Sequence, residues 1–192
     1  MLEVRLTLLI PTLAGAALGV APFIWCLYRG EPYESYGLSW KFSRKGVFEC
    51  VIVTVAVLAA LTVISMNWPG ENLPRRVSFS RAAWWAANGV SAAIIEEVFF
   101  RGWVQPLFRK KLGAIASVVI TSVMFAFAHV FVARAFFIFA VFFPGCIMGA
   151  LRERHGNIST PTLFHAVANL WAIWFIPLNF PTFGELFNII LN

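Results

Sequence analysis

The sequence predicts an all-α membrane protein: a polytopic transmembrane helical bundle of about six spanning helices joined by loops and interfacial segments. Three observations carry this. Hydrophobic residues make up 60% of the 192-residue chain and charged residues only 12%, where soluble domains have roughly 45–50% and about 25%. Mean hydropathy is +0.78. The apolar residues also gather into long runs, and at such lengths only helices satisfy their own backbone inside lipid.

The first run, Leu6–Tyr28, reads as a retained helix, because no small-residue cleavage site is clearly placed after it. Arg29–Gly46 mixes Trp40 and Phe42 with Lys41, Arg44 and Lys45 and is expected to lie along the lipid headgroups. Val47–Met66 is the second spanning run. Asn67–Ser80 contains Pro69, Gly70 and Pro74 and reads as a loop, with the third helix starting at Ser80. The third run is Ala82–Phe100. Because Arg101–Lys111 holds good helix formers and only Pro106 as a kink, the helix is expected to continue to about Arg109. Gly113–Val132, Phe136–Leu151 and Pro161–Leu178 complete the set, with Pro144-Gly145 expected to break or kink the fifth. The tail Pro181–Leu191 is short and apolar, interfacial or re-entrant. No internal repeat divides the chain, so residues 1–192 read as one membrane domain.

The net charge of +6 sits in short basic clusters beside apolar runs. That pattern suits topology signals and headgroup contact better than nucleic acid. Arg29, Lys41, Arg44, Lys45, Arg101, Arg109, Lys110, Lys111, Arg152 and Arg154 fall in the odd-numbered loops. Arg5, Arg75, Arg76, Arg81 and Arg134 fall on the other side. The positive-inside rule then puts the odd loops in the cytoplasm and both termini outside. Arg134 and His155 are expected in loops, against headgroups. Cys26, Cys50 and Cys146 form no close pair and read as packing residues, with no disulfide or zinc framework.

Against this background a few polar side chains stand out, because ionisable groups at membrane depth are costly and usually functional. Glu96 and Glu97 interrupt the third run and Arg101 follows; His129 ends Phe125-Ala126-Phe127-Ala128-His129; His165 opens His165-Ala166-Val167-Ala168-Asn169. Glu97 and Arg101 are spaced i,i+4, which lets carboxylate and guanidinium pair. Pairing would lower the burial cost of both and leave Glu96 as the candidate general base. His165 and Asn169 share one helical face and could aim donors at a developing oxyanion. Each group alone has a plainer explanation, a charge pair that locks helices or a hydrogen bond that glues them. Together, on three helices, they suggest a buried hydrolytic site, and the cytoplasmic loop before His165 places it toward the cytoplasmic half. Other intramembrane proteolytic chemistries fit badly. The nine acidic residues are all Glu, which excludes an aspartyl pair; there is no HExxH; and Gly89-Val90-Ser91-Ala92 is only a faint echo of a serine-protease motif.

Glu-Glu-x-x-x-Arg, then Phe-x-x-x-His, then His-x-x-x-Asn, in that order on hydrophobic helices, resembles the CPBP family of intramembrane proteases. That family includes the type II CAAX prenyl endopeptidases and bacterial relatives linked to bacteriocin processing and self-immunity. The resemblance covers roughly Ala82 to Trp174, and Glu96-Glu97-Val98-Phe99-Phe100-Arg101-Gly102 is similar to the family's usual wording; residues 82–174 are thus expected to form the catalytic core. It implies an intramembrane endopeptidase in which Glu96 and His129 activate a water, His165 and Asn169 stabilise the oxyanion, and Glu97 and Arg101 support the site. The implied partner is a membrane-associated protein or peptide, processed at its C-terminus, relieved of a sorting signal or matured as a peptide, in the bilayer of a bacterial cytoplasmic membrane. No cofactor is expected; a zinc ion, if used, would fall to Glu96, His129 and His165 as a His₂Glu set, but Asn169 suits donation better than ligation. The alternative from another class is a non-catalytic immunity or interaction scaffold.

Overall fold

A computed structural model describes the backbone of residues 2–129 and 135–179, and the side chains of 13–129 and 140–179. Among the described residues there are helices and the loops that join them but no strand, an α-helical membrane bundle. Helix α1 spans Leu2–Arg29, α2 Arg44–Met66, α3 Phe79–Phe99, α4 Gln105–Leu112, α5 Ala114–Ala128, α6 Ala135–His155 and α7 Ser159–Phe175. Short 3₁₀ and π turns lie at Tyr33–Tyr36 and Phe100–Val104. Large apolar side chains remain on the outside, among them Phe48, Val55, Phe79, Ile115, Phe127 and Phe143. In water such a surface would aggregate; against lipid it is the matching solvent. Among the described residues, α2 is the helix both long and apolar enough to pass as a complete span by itself, with mean hydropathy 2.6. The tail Pro181–Leu191 and Arg134 lie outside the described residues.

Helix α2 starts where Ser43 Oγ accepts the Gly46 amide (2.9 Å), which satisfies one of the free N–H groups at a helix start. The third helix starts at Phe79, one residue before Ser80, with Ser78 in the N-cap position. As expected, it continues past Arg101, since α3, the π turn and α4 follow one another without a break from Phe79 to Leu112. The irregularity is the π turn just before Pro106, and its cause is local. Pro106 has no N–H to offer, and the carbonyl five residues back, on Arg101, accepts from Arg152 Nε instead (3.2 Å). Gly113, at φ 83°, then makes the tight turn into α5. In α6, Pro144 lies inside a helix that stays continuous to His155.

Helix α7 is the hub, packed against α2, α3 and α6, while α5 packs on α6 and α1 on α3. Close backbone approach uses glycine. Gly149 leaves no room for a Cβ beside Val118 (2.9 Å), and Gly15 and Gly19 face Ile95. One apolar cluster joins Cys50, Phe100, Phe125, Met148, Leu151 and Phe164; another joins Cys26, Tyr36, Leu38, Val98 and Ile158. All three cysteines are free; Cys50 Sγ donates to the Thr160 carbonyl (3.3 Å).

Two expectations need correcting. The segment after α1 does not simply lie on headgroups, because Tyr36 and Leu38 are buried and the Tyr36 carbonyl accepts Arg152 Nη2 (3.0 Å). There the Tyr36 hydroxyl donates to Glu31, which holds that carboxyl below the usual range. His155 is not a loop residue either. It closes α6, with Nε2 3.2 Å from Glu49, and Arg154 binds the same carboxylate.

Candidate functional site

The polar groups meet where α3, α5, α6 and α7 pack together. Arg101 Nη1 donates to Glu97 Oε1 (3.1 Å), and both side chains are wholly buried. The i,i+4 spacing permits the pair; tertiary packing completes it. Arg101 Nη2 donates to the Gly145 carbonyl (3.1 Å), and the guanidinium carbon lies 4.4 Å from the centre of the Phe125 ring. A desolvated cation over an aromatic face is worth about 2 kcal/mol. The same relation between helices repeats one turn on, where Gln105 Nε2 reaches the Gly149 carbonyl (3.1 Å) and Glu153 Oε1 (3.0 Å). One turn further, Arg109 Nε reaches Glu153 Oε2 (2.8 Å). Arg101, Gln105 and Arg109 therefore form a ladder on one face, read against Gly145, Gly149 and Glu153 of α6.

His165 stands between the two glutamates. Its Nδ1–H donates to Glu97 Oε1 (2.9 Å), and its Nε2 lies 3.7 Å from Glu96 Oε2. The carboxylate on Nδ1 fixes the ring orientation, so Nε2 faces Glu96. Glu96 Oε2 is itself buried, with no hydrogen-bond partner among the described residues. His129 closes α5, where its Nδ1 donates to the Phe125 carbonyl (2.8 Å). Phe125 joins these groups, with its ring centre 4.7 Å from that of His129 and 5.7 Å from that of His165.

Asn169 lies one turn beyond His165 on the same face of α7. Its Nδ2 donates to the Gly89 carbonyl (2.9 Å), which occupies one of its two amide hydrogens. Gly89 allows that approach, since a Cβ there would sit 3.1 Å from Asn169 Cβ. Beside these residues lies a cavity of about 290 Å³ whose walls include Phe125, His129, His165 and Asn169. The rest of the lining is largely apolar, with Leu58, Leu61, Met148, Phe164 and Trp171 among it. Trp171 is held in place by Thr62 Oγ1 (2.8 Å) and by stacking on Phe175.

The groups named for a metal do not close on one in this arrangement. Among the described residues no three His, Cys, Asp or Glu side chains are placed to hold an ion. No step is therefore routed through a metal.

Of the six side chains singled out in the sequence, Glu96, Glu97, Arg101 and His165 are brought into one cluster. His129 and Asn169 flank it along the cavity. The contact between Glu97 and His165 was not anticipated, nor were Phe125 as the shared aromatic surface, Gln105, and the glycines that receive the ladder. A signal for the last existed in Gly145-Cys146-Ile147-Met148-Gly149, a GxxxG spacing that marks close helix contact. The count of topological charges changes too. Arg101 is buried in the ion pair, so it is not a loop base, and the balance shifts slightly without reversing.

Residues 78–171 match a family model described as type II CAAX prenyl endopeptidase Rce1-like. No curated protein and no solved structure matches the chain.

Proposed function

Taking the chain as a member of the type II CAAX prenyl endopeptidase Rce1-like family over residues 78–171, we propose that it is an intramembrane endopeptidase of glutamate type. The observation that carries this reading is His165 set between Glu97 (2.9 Å) and Glu96 (3.7 Å) at the edge of an apolar cavity. Glu96 is left out of the Glu97–Arg101 ion pair, and its Oε2 is buried without a hydrogen-bond partner among the described residues.

In this reading Glu96 removes a proton from water as the water oxygen attacks the scissile carbonyl carbon. Glu97 holds His165 by Nδ1 so that Nε2 is aimed at Glu96, and Arg101 neutralises Glu97. His129, on the cavity wall, helps to position and polarise the water. The tetrahedral oxyanion receives hydrogen bonds from His165 and from the second amide hydrogen of Asn169. Collapse breaks the C–N bond, and the proton held by Glu96 passes to the leaving amine. No acyl-enzyme forms and no metal takes part. The substrate is a membrane-associated protein or peptide, cut to remove a C-terminal sorting signal or to mature a peptide, in a bacterial cytoplasmic membrane.

The test is quantitative mapping of protein ends in membrane and secreted fractions of the host, comparing wild type with a chromosomal Glu96→Gln strain. Ends that vanish in the mutant, with the protein present at normal level, support hydrolysis and identify the substrate. Unchanged ends sink the reading.

A further inference from the structure

Resting on that reading, we propose that Arg152 is a positioning residue of the reaction. It acts through other residues. Its guanidinium holds open the π turn at Phe100–Val104, and through Arg101 that turn sets Glu97, and with it His165, against Glu96.

The sequence counts Arg152 among the loop bases, but it lies in α6 with its side chain only 12% exposed. Each of its three nitrogens has an acceptor. Nε donates to the Arg101 carbonyl (3.2 Å) and Nη2 to the Tyr36 carbonyl (3.0 Å). Nη1 donates to Glu153 Oε1 (3.4 Å), which also accepts Gln105 Nε2 (3.0 Å). Room for the guanidinium is built in, since Gly37, at φ 73°, lacks the Cβ that would lie 2.8 Å from Nη2. The Arg101 carbonyl, for its part, requires a donor from outside its helix. In an α-helix it would accept the Gln105 amide four residues on, but that amide donates to Phe100 instead. Pro106, the next residue, has no N–H. Arg101 is 0% exposed, and a buried carbonyl without a partner is costly.

Without Arg152, that carbonyl draws the Gln105 amide back and the π turn closes toward α geometry. A slip of one residue rotates one side of the turn against the other by about 100° and shifts it by about 1.5 Å. A catalytic constellation tolerates about 0.5 Å and about 10–20°. Both sides of the turn are anchored. Glu97 and Arg101 hold His165 and the Gly145 carbonyl, while Gln105 and Arg109 hold the Gly149 carbonyl and Glu153. After a slip they cannot all keep these partners. Arg101 lies in the turn itself, so its guanidinium moves with its carbonyl, and Glu97 is the first to lose support. π turns inside helices are frequent at functional sites; here the turn lies next to the two glutamates.

The experiment is NMR of histidine-labelled full-length protein in detergent micelles, which needs no substrate. The chain has three histidines, and His129→Gln and His155→Gln assign the signals. The readout is the downfield position of the His165 Nδ1 proton, which reports its hydrogen bond to Glu97 in the folded state. Arg152→Met removes the donor. Arg152→Lys keeps the charge but lacks the planar fork that serves two carbonyls at once. Gly37→Ala keeps Arg152 and crowds its Nη2. In all three the proton should lose at least half of its downfield displacement; if Arg152→Met does not fold, the other two decide. Arg154→Met, which removes a charge bound to Glu49 at the same end, should match wild type. In the host, Arg152→Lys should lose the protein ends that Glu96→Gln loses. The proposal is overturned if the signal stays in place in Arg152→Lys and Gly37→Ala, if Arg154→Met moves it equally, or if Arg152→Lys retains ends that vanish in Glu96→Gln. A signal that responds to Arg152, with ends unchanged in Glu96→Gln, would sink the protease reading and leave the link from Arg152 to His165 standing, so the two failures are separable.

Discussion

Removing the Arg101 guanidinium while keeping most of its stem, as in Arg101→Met, tests how the site is held together. Three contacts disappear at once: the 3.1 Å pair with Glu97, the 3.1 Å hydrogen bond to the Gly145 carbonyl and the approach to Phe125. The largest consequence is what remains. Glu97 is 0% exposed, and losing one member of a buried pair costs about 3–5 kcal/mol, because the other charge stays buried and uncompensated. The cure is to remove that charge as well. In Glu97→Gln/Arg101→Met the site is neutral, and replacing a buried pair is often close to energetically neutral. The double variant should regain at least about 2 kcal/mol of the loss, a coupling expected of residues in direct contact. The assay is reversible unfolding in mixed micelles followed by tryptophan fluorescence, for which the eight Trp residues give ample signal. Proteolysis should not return with stability, because His165 loses the carboxylate on its Nδ1. An Arg101→Met protein destabilised by less than about 1 kcal/mol, or a double variant no more stable than the single, would refute the argument.

Asn169→Ala separates helix contact from catalysis by size. Interhelical hydrogen bonds in membranes average only about 0.6 kcal/mol, so loss of the bond to Gly89 should lower stability little. Loss of an oxyanion donor should cut kcat by about 10²–10³; a fall of less than fivefold in single-turnover kinetics would reduce Asn169 to helix packing. Gly89→Val places a branched side chain where even a Cβ would lie 3.1 Å from Asn169. Activity should drop with α3 and α7 forced apart, and an unchanged rate would show that this contact does not set the geometry of Asn169. Purified enzyme should keep its activity in strong chelators, since Glu96, His129 and His165 do not form a ligand set. Loss on chelation with recovery on added zinc would overturn the metal-free route.

Much of the architecture is legible in the sequence because lipid allows so few solutions. Runs such as Val47–Met66 can only be helices there, and the continuation of the third helix through Arg101–Lys111 follows from helix-forming residues alone. The i,i+4 spacings of Glu97 with Arg101 and of His165 with Asn169 are also local, since helical geometry puts each pair on one face. The π turn at Phe100–Val104 is less legible, since Pro106 announces a disturbance but not whether the helix kinks, breaks or widens. Even so, its released carbonyl needed Arg152, on another helix, as a partner.

What the sequence by itself determined, then, is the membrane bundle, the helical faces and the chemical types of side chain available to the site. Only tertiary structure decided which groups meet. It set His165 on Glu97 with Nε2 toward Glu96, placed Phe125 under one cation and two imidazoles, and formed a cavity lined by residues of α2, α5, α6 and α7. The physical reason is range. Burial cost and helical spacing act along the chain, whereas the partners of a buried charge lie on other helices, 68 residues away for Glu97 and His165. Their rotation and depth come from how ridges and glycines of α3, α6 and α7 fit together, and local pattern does not encode that fit.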